Sequence, residues 1–212
     1  MITRKILLSL VLAAGFTSTA HAQLNFHSGS FMGLKAGGTA ATFTGDKAKS
    51  ERFVYGANAG IFANLVLNRP FSLQSELLYS MKGGKAPANI SDASRWLNYL
   101  DVPVALRATT RNGFFLEAGA QVGFLLSAQS NATGEKLNVK NEYRSTDLGY
   151  LLGLGYQPRK GGLGIGGRYN VGLLSVFKAP LDGTDAADLR NNALQIYLTY
   201  SRHEPRRTKA RK

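Results

Sequence analysis

Eight segments of the chain alternate residue by residue between an apolar face and a face of glycine, polar and charged side chains, and this pattern constrains the fold more than any motif. Period-two alternation bounded by turn residues marks strands with two unlike faces. Met32, Leu34 and Ala36 oppose Gly33, Lys35, Gly37 and Thr39; Tyr55, Ala57, Ala59, Ile61, Ala63 and Leu65 oppose Gly56, Asn58, Gly60 and Asn64. Phe71, Leu73, Leu77, Tyr79 and Met81 oppose Ser72, Gln74, Glu76, Ser80 and Lys82. Leu100, Val102, Val104 and Leu106 oppose Tyr99, Asp101, Ala105 and Arg107, with Pro103 inside that run. Proline cannot donate to a ladder, so a bulge is expected there. The remaining four segments run Phe114–Phe124, Asp147–Tyr156, Leu163–Gly172 and Leu194–Ser201.

The connections alternate too. Short ones carry turn chemistry at Asn68-Arg69-Pro70, Arg111-Asn112-Gly113 and Gln157 to Gly162; long ones run Ala41–Val54, Gly83–Arg95, Ser127–Arg144 and Ser175–Asn192. Short turns at one end, long loops at the other and an even strand number are the pattern of bacterial outer-membrane barrels. Alternation alone does not say which face points outward, and a soluble barrel would bury the apolar one. Here the polar face is rich in glycine, which suits the narrow interior of eight strands, and the apolar face is rimmed by Tyr and Phe, which suits interfacial girdles. No segment beyond the first residues is long or apolar enough for a spanning helix, and in lipid the other structure that pairs its whole backbone is a closed barrel. The expected fold is all-β: an 8-stranded antiparallel up-and-down transmembrane barrel, preceded by a cleaved signal peptide, with both termini in the periplasm of a Gram-negative bacterium.

Residues 1–22 read as that signal: Arg4 and Lys5, an apolar run from Ile6 to Phe16, and Ala20-His21-Ala22 as the cleavage box. The expected divisions are then a short periplasmic N-terminus at 23–30, the barrel at 31–201 and a basic tail at 202–212. There is no cysteine, so neither disulfides nor thiolate metal sites are available. The formal charge is +13, which in isolation suggests nucleic acid. Export argues against that partner. The cations also fall in two places, the tail (Arg202, Arg206, Arg207, Lys209, Arg211, Lys212) and the short turns (Arg69, Arg111, Arg159, Lys160), which lie on one side of the barrel.

The face assigned to the lumen carries Lys35, Lys82, Arg107 and Arg168 with Glu76, Asp101, Glu117 and Asp147, four charges of each sign. Charges at membrane depth are costly unless they face an interior and pair, so the eight are expected to form a structural salt-bridge plug. By their depth along the strands, Lys35, Glu76, Asp101 and Arg168 are expected in one middle layer. The glycine run Gly161–Gly167 continues into strand alternation at Arg168-Tyr169-Asn170 and therefore lacks the helix that a phosphate loop needs. After the signal the histidines are His27 and His203, both placed at the periplasmic edge, where neither can serve a nucleophile at the outer rim. No enzyme, cofactor or metal is expected. Asn89-Ile90-Ser91 and Asn131-Ala132-Thr133 match a glycosylation pattern and read as ordinary loop chemistry in a bacterial exported protein.

Phe71-Ser72-Leu73-Gln74-Ser75-Glu76-Leu77-Leu78-Tyr79-Ser80, followed by Lys82-Gly83, resembles the signature of the PorT-like outer-membrane β-barrel proteins of Bacteroidetes. Tyr99-Leu100-Asp101-Val102-Pro103 resembles that family's next strand, and Gly33-Leu34-Lys35-Ala36-Gly37 its first. The resemblance covers the chain beyond the signal; the tail after Tyr200 departs from it, since many such barrels end at their last aromatic strand. It implies an outer-membrane barrel and, through one member, a link to type IX secretion. The expected protein is a monomeric barrel in outer-membrane lipid that acts as a structural or binding element through its loops or tail. The alternatives are a secretion accessory with an envelope protein partner and a narrow small-solute channel. N-terminal sequencing of protein purified from outer membranes should read from Gln23; a start at Met1 would contradict the cleaved signal.

Overall fold

In the computed structural model, the described residues are 29–45, 52–85, 94–131, 136–177 and 189–202. The signal and its cleavage site, His27, His203, the tail beyond Arg202, residues 89–91 and residues 132–133 lie outside them. The strands are β1 (Phe31–Thr44), β2 (Val54–Asn68), β3 (Phe71–Lys85), β4 (Ser94–Thr109), β5 (Phe114–Asn131), β6 (Lys136–Asn138), β7 (Thr146–Tyr156), β8 (Gly161–Gly172) and β9 (Arg190–Arg202). Eight are long. The short β6 pairs only with the end of β5. Each long strand pairs antiparallel with two others, in the order β1-β2-β3-β4-β5-β7-β8-β9, and β9 returns to β1 from Met32↔Arg202 to Thr44↔Arg190. The sheet is therefore a closed, eight-stranded barrel without an open edge.

The faces divide as the alternation implies, and the apolar side is the outer one. Leu116 is 66% exposed and Leu163 70%. Lys35, Gln74, Arg107 and Arg168 point inward and are each at most 2% exposed. A water-soluble barrel would show the reverse. Among the described residues no helix is long and apolar enough to cross a membrane.

The structure departs from the sequence reading in two ways. Several strands run beyond their alternating cores, β1 to Thr44, β3 to Lys85 and β5 to Asn131, so the ladder climbs into what reads as loop. The third connection is partly ordered as well, by β6 and a 3-10 turn at Lys140–Glu142. The second departure concerns Pro103, where there is no bulge. The β4–β5 register passes unbroken through Pro103↔Gln121, and the β3–β4 register is the same at Ser75↔Val104 and Leu78↔Asp101 on either side of it. Only the two intervening β3–β4 pairs drop out, so the missing N–H is absorbed on the β3 side. The β4 bulge lies instead between Asn98 and Tyr99, where β5 inserts Leu126.

Glycine and aromatic residues meet across the ladder to fill the interior. Gly33 is paired with Phe62, Gly155 with Phe115 and Gly166 with Tyr197. In each pair the ring lies where a glycine side chain would start: a Cβ on Gly166 would sit 2.6 Å from the Tyr197 ring, and one on Gly33 2.7 Å from that of Phe62. These glycines make room for rings inside a tube too narrow for both. Gly167, one residue on, faces outward with its nearest neighbour 3.9 Å from a Cβ. Gly166→Val should therefore lower the unfolding free energy in urea by about 1–3 kcal/mol, the usual cost of overpacking. Gly167→Ala should stay within about 0.5 kcal/mol of wild type. Equal effects would contradict ring-over-glycine packing.

Candidate functional site

The lumen gathers the chain's buried charge, and the eight residues expected there are all found there, buried. They form two clusters rather than one. In the first, Arg168 on β8 bridges two glutamates from strands across the barrel. Its Nη1 and Nη2 donate to the two carboxylate oxygens of Glu76 at 2.9 and 2.6 Å, and its Nε and Nη2 donate to Glu117 Oε1 at 2.9 and 2.7 Å. Lys35 Nζ donates to Glu76 Oε2 at 3.0 Å, and Gln74 Nε2 donates to Glu76 Oε1 at 2.6 Å. Arg107 donates twice to Glu117 Oε2, at 3.1 and 2.7 Å, and Tyr197 O–H donates to Glu117 Oε1 at 3.2 Å. Two cations also rest on rings, Lys35 3.6 Å from the centre of Tyr197 and Arg107 3.6 Å from that of Phe115. The rings that fill the space above glycine thus also serve the ions.

The second cluster lies toward the long-loop end. Lys82 Nζ is 3.0 Å from Asp101 and 3.8 Å from Asp147, and 4.9 Å from the centre of the Tyr99 ring. Asn191 Nδ2 donates to Asp147 Oδ2 and to Tyr99 Oη, both at 3.2 Å. Asp101 is therefore not in one layer with Glu76, Lys35 and Arg168. Its strand depth is right, but the stagger of the barrel delivers it to Lys82. The first cluster holds three cations and two carboxylates, the second one cation and two carboxylates. The set balances only as a whole.

A small cavity of about 10 Å³ is lined by Lys82, Gln121, Asp147, Asn170 and Asn191. Both amide atoms of Asn170, Gln121 Oε1, Asp147 Oδ1 and Asn191 Oδ1 are buried with no bonding partner in the chain. A buried polar atom left unbonded costs about 1–3 kcal/mol, and the cavity has about the room that one water needs. Water is the partner this geometry calls for.

Above the second cluster the lumen turns apolar. Phe43, Leu97, Tyr99, Leu125, Ala128, Tyr143, Val176 and Leu189 form one buried cluster, with Val139 and Phe177 against it. The third and fourth long connections are tied together here: Arg144 N–H donates to Val176 O at 2.8 Å, Val176 N–H to Leu189 O at 2.7 Å, and the Tyr143 and Phe177 rings lie 4.8 Å apart. This cap is not foreseen in the sequence, because its residues come from loop edges and from positions where two apolar residues follow one another. Among the described residues no group of three or more His, Cys, Asp and Glu could hold a metal ion.

A closed tube with an apolar outside and a bonded ionic inside defines an integral β-barrel of the bacterial outer membrane. The chain belongs to the family described as outer membrane protein beta-barrel domain, whose model matches residues 21–178. Its fold is similar to the crystal structure of Ail, the attachment invasion locus protein of Yersinia pestis, at 16% identity and a TM-score of 0.50, covering 82% of this chain and 99% of that one. Neisserial surface protein A aligns at 18% identity and a TM-score of 0.49, over 82% of this chain and 97% of its own. No curated protein matches the chain.

Removing one member of a buried ionic set strands its partners, which typically costs about 3–5 kcal/mol. Glu117→Ala strands Arg107 and leaves Arg168 with Glu76 as its remaining carboxylate; Glu76→Ala and Arg168→Ala break the same cluster from its other sides. Each should lower the urea unfolding midpoint, read by fluorescence of Trp96, far more than Leu73→Ala on the lipid face. Midpoints equal to wild type would show that the network contributes nothing to the fold.

Proposed function

We propose that this outer-membrane barrel is a non-enzymatic binding or structural element, working through its long loops or its basic tail, with the short turns and both termini in the periplasm. One observation carries the proposal: the lumen is occupied. Arg168 ties β8 to β3 and β5 across the tube, and the apolar cluster closes the long-loop end. An interior filled in this way leaves the exposed ends as the working surfaces. It also speaks against the narrow solute channel. The eight lumenal charges then serve the fold, and the protein acts as a single barrel in its lipid.

The accessory reading draws on the PorT-like motif. Gln74, Glu76, Lys82 and Asp101 of that motif are all engaged in the lumen. Their presence is accounted for by interior bonding alone, so the motif speaks for a shared fold more than for a shared secretion partner.

Purified protein in planar bilayers should show no large, steady conductance at neutral pH. Reproducible porin-sized steps would overturn the closed-lumen reading.

A further inference from the structure

Among the described residues five exposed cations stand at the short-turn end of the barrel, while Lys140, Arg144 and Arg190 are exposed at the long-loop end. Arg69 lies in the β2–β3 turn, Arg111 in the β4–β5 turn, Arg159 and Lys160 in the β7–β8 turn, and Arg202 ends β9; all five are exposed. The acidic residues among the described ones lie elsewhere. Glu76, Asp101, Glu117 and Asp147 are buried in the lumen, and Glu142 stands in the third long connection. Four of the five cations form a continuous arc. Arg159 Nε and Nη2 donate to Thr110 O at 3.2 and 3.0 Å, which joins the β7–β8 turn to the turn that carries Arg111. Gln157 N–H donates to Gly113 O at 2.9 Å between the same two turns. Gly161, next to Lys160, is paired with Arg202. The sequence then continues from Arg202 into Arg206, Arg207, Lys209, Arg211 and Lys212, against a single Glu204.

The depth of this arc identifies its ligand. Immediately inside it, on the lipid-facing side, stand Phe114 and Tyr156, whose rings are 5.3 Å apart, with Met32, Leu163 and Tyr200 exposed beside them. Outward aromatics mark the edge of the hydrocarbon band in such barrels. Cations just beyond that edge stand at the level of lipid headgroups, where a guanidinium fork matches a phosphate.

We propose that the arc of Arg111, Arg159, Lys160 and Arg202 binds the phosphate groups of anionic phospholipids in the leaflet around the short-turn end. The inference needs only that the barrel spans a bilayer, and it stands whether or not the lumen conducts.

The test places the purified barrel in phosphatidylcholine bilayers with traces of spin-labelled phosphatidylglycerol or phosphatidylcholine and measures how much of each is motionally restricted. Wild type should hold phosphatidylglycerol several-fold more strongly. The preference should fall toward parity as salt rises from 0.1 to 1 M, where screening shortens from about 10 Å to about 3 Å. Arg111→Gln combined with Lys160→Gln leaves the Arg159–Thr110 clamp in place and should remove most of the preference. Lys140→Gln combined with Arg144→Gln, at the long-loop end, should leave it unchanged. A gel shift on boiling shows that each variant is folded. Equal restriction of the two lipids by wild type would overturn the proposal, as would a preference that survives the short-turn variant. Salt-sensitive binding of soluble polyglutamate without any lipid preference would also overturn it, and would point to an acidic protein partner instead.

Discussion

A backbone N–H or C=O left unpaired in hydrocarbon costs several kcal/mol, and the rest of this structure follows from meeting that demand with strands. The β1–β9 ladder closes the sheet over thirteen residue pairs, from Met32↔Arg202 to Thr44↔Arg190, so no edge meets lipid. Closing with eight strands makes the tube narrow. A narrow tube must be filled by its own inward side chains, and filling it requires that some positions have none. Gly33, Gly155 and Gly166 are empty so that Phe62, Phe115 and Tyr197 can lie over them. The rings of Tyr197 and Phe115 then form part of the wall around Lys35 and Arg107. Closure, glycine placement and ion pairing are successive consequences of one constraint.

Buried ion pairs are weak evidence for stability, since apolar side chains of equal volume can do as well or better. Their contribution here is to tell the two faces of each strand apart. A barrel with an apolar lumen and an apolar outside could slip by one residue at little cost, because a one-residue shift exchanges the faces. With Arg168 and Lys35 on the inner face, the same slip would carry cations into lipid, at about 2–4 kcal/mol each near the bilayer midplane. The charges specify which side is inside. Their division into a cluster with an excess cation and one with an excess carboxylate leaves polar atoms of Gln121, Asn170 and Asn191 facing a water-sized cavity beside the second.

Much of this is written in the sequence, and the unwritten part has a physical cause. Strand faces are legible because period two survives wherever one face is lipid and the other is not. One ion pair is legible as well: Arg107 and Glu117 are direct partners across the short turn at Asn112-Gly113, and a tight turn sets register. Lys82 and Asp101 are harder. Their strands are neighbours, yet Lys82 is paired with Leu97 and Asp101 with Leu78, so the ions meet on a diagonal. Arg168 and Glu76 are 92 residues apart and meet through the lumen, which depends on stagger and on no local signal. Phe62, Leu78, Phe115 and Leu151 are apolar yet face inward. Each follows or precedes an outward apolar residue, and two in a row carry no alternation. The loop cap around Tyr143 and Val176 is invisible because both residues stand in long connections, where no strand alternation marks a face.

The chain contains no cysteine, so single cysteines along β9 can each carry a spin label in the inserted protein. Collision with oxygen reports lipid, and collision with a water-soluble nickel chelate reports solvent. Strong oxygen collision is expected at positions 194, 196, 198 and 200, and little collision with either reagent at 195 and 199, whose native Gln195 and Thr199 are buried in a filled lumen. Chelate collision at 195 and 199 would mean an open, water-filled interior. Oxygen collision there, with the chelate reaching 194 and 196, would mean that the apolar face points inward and that the barrel does not span a membrane.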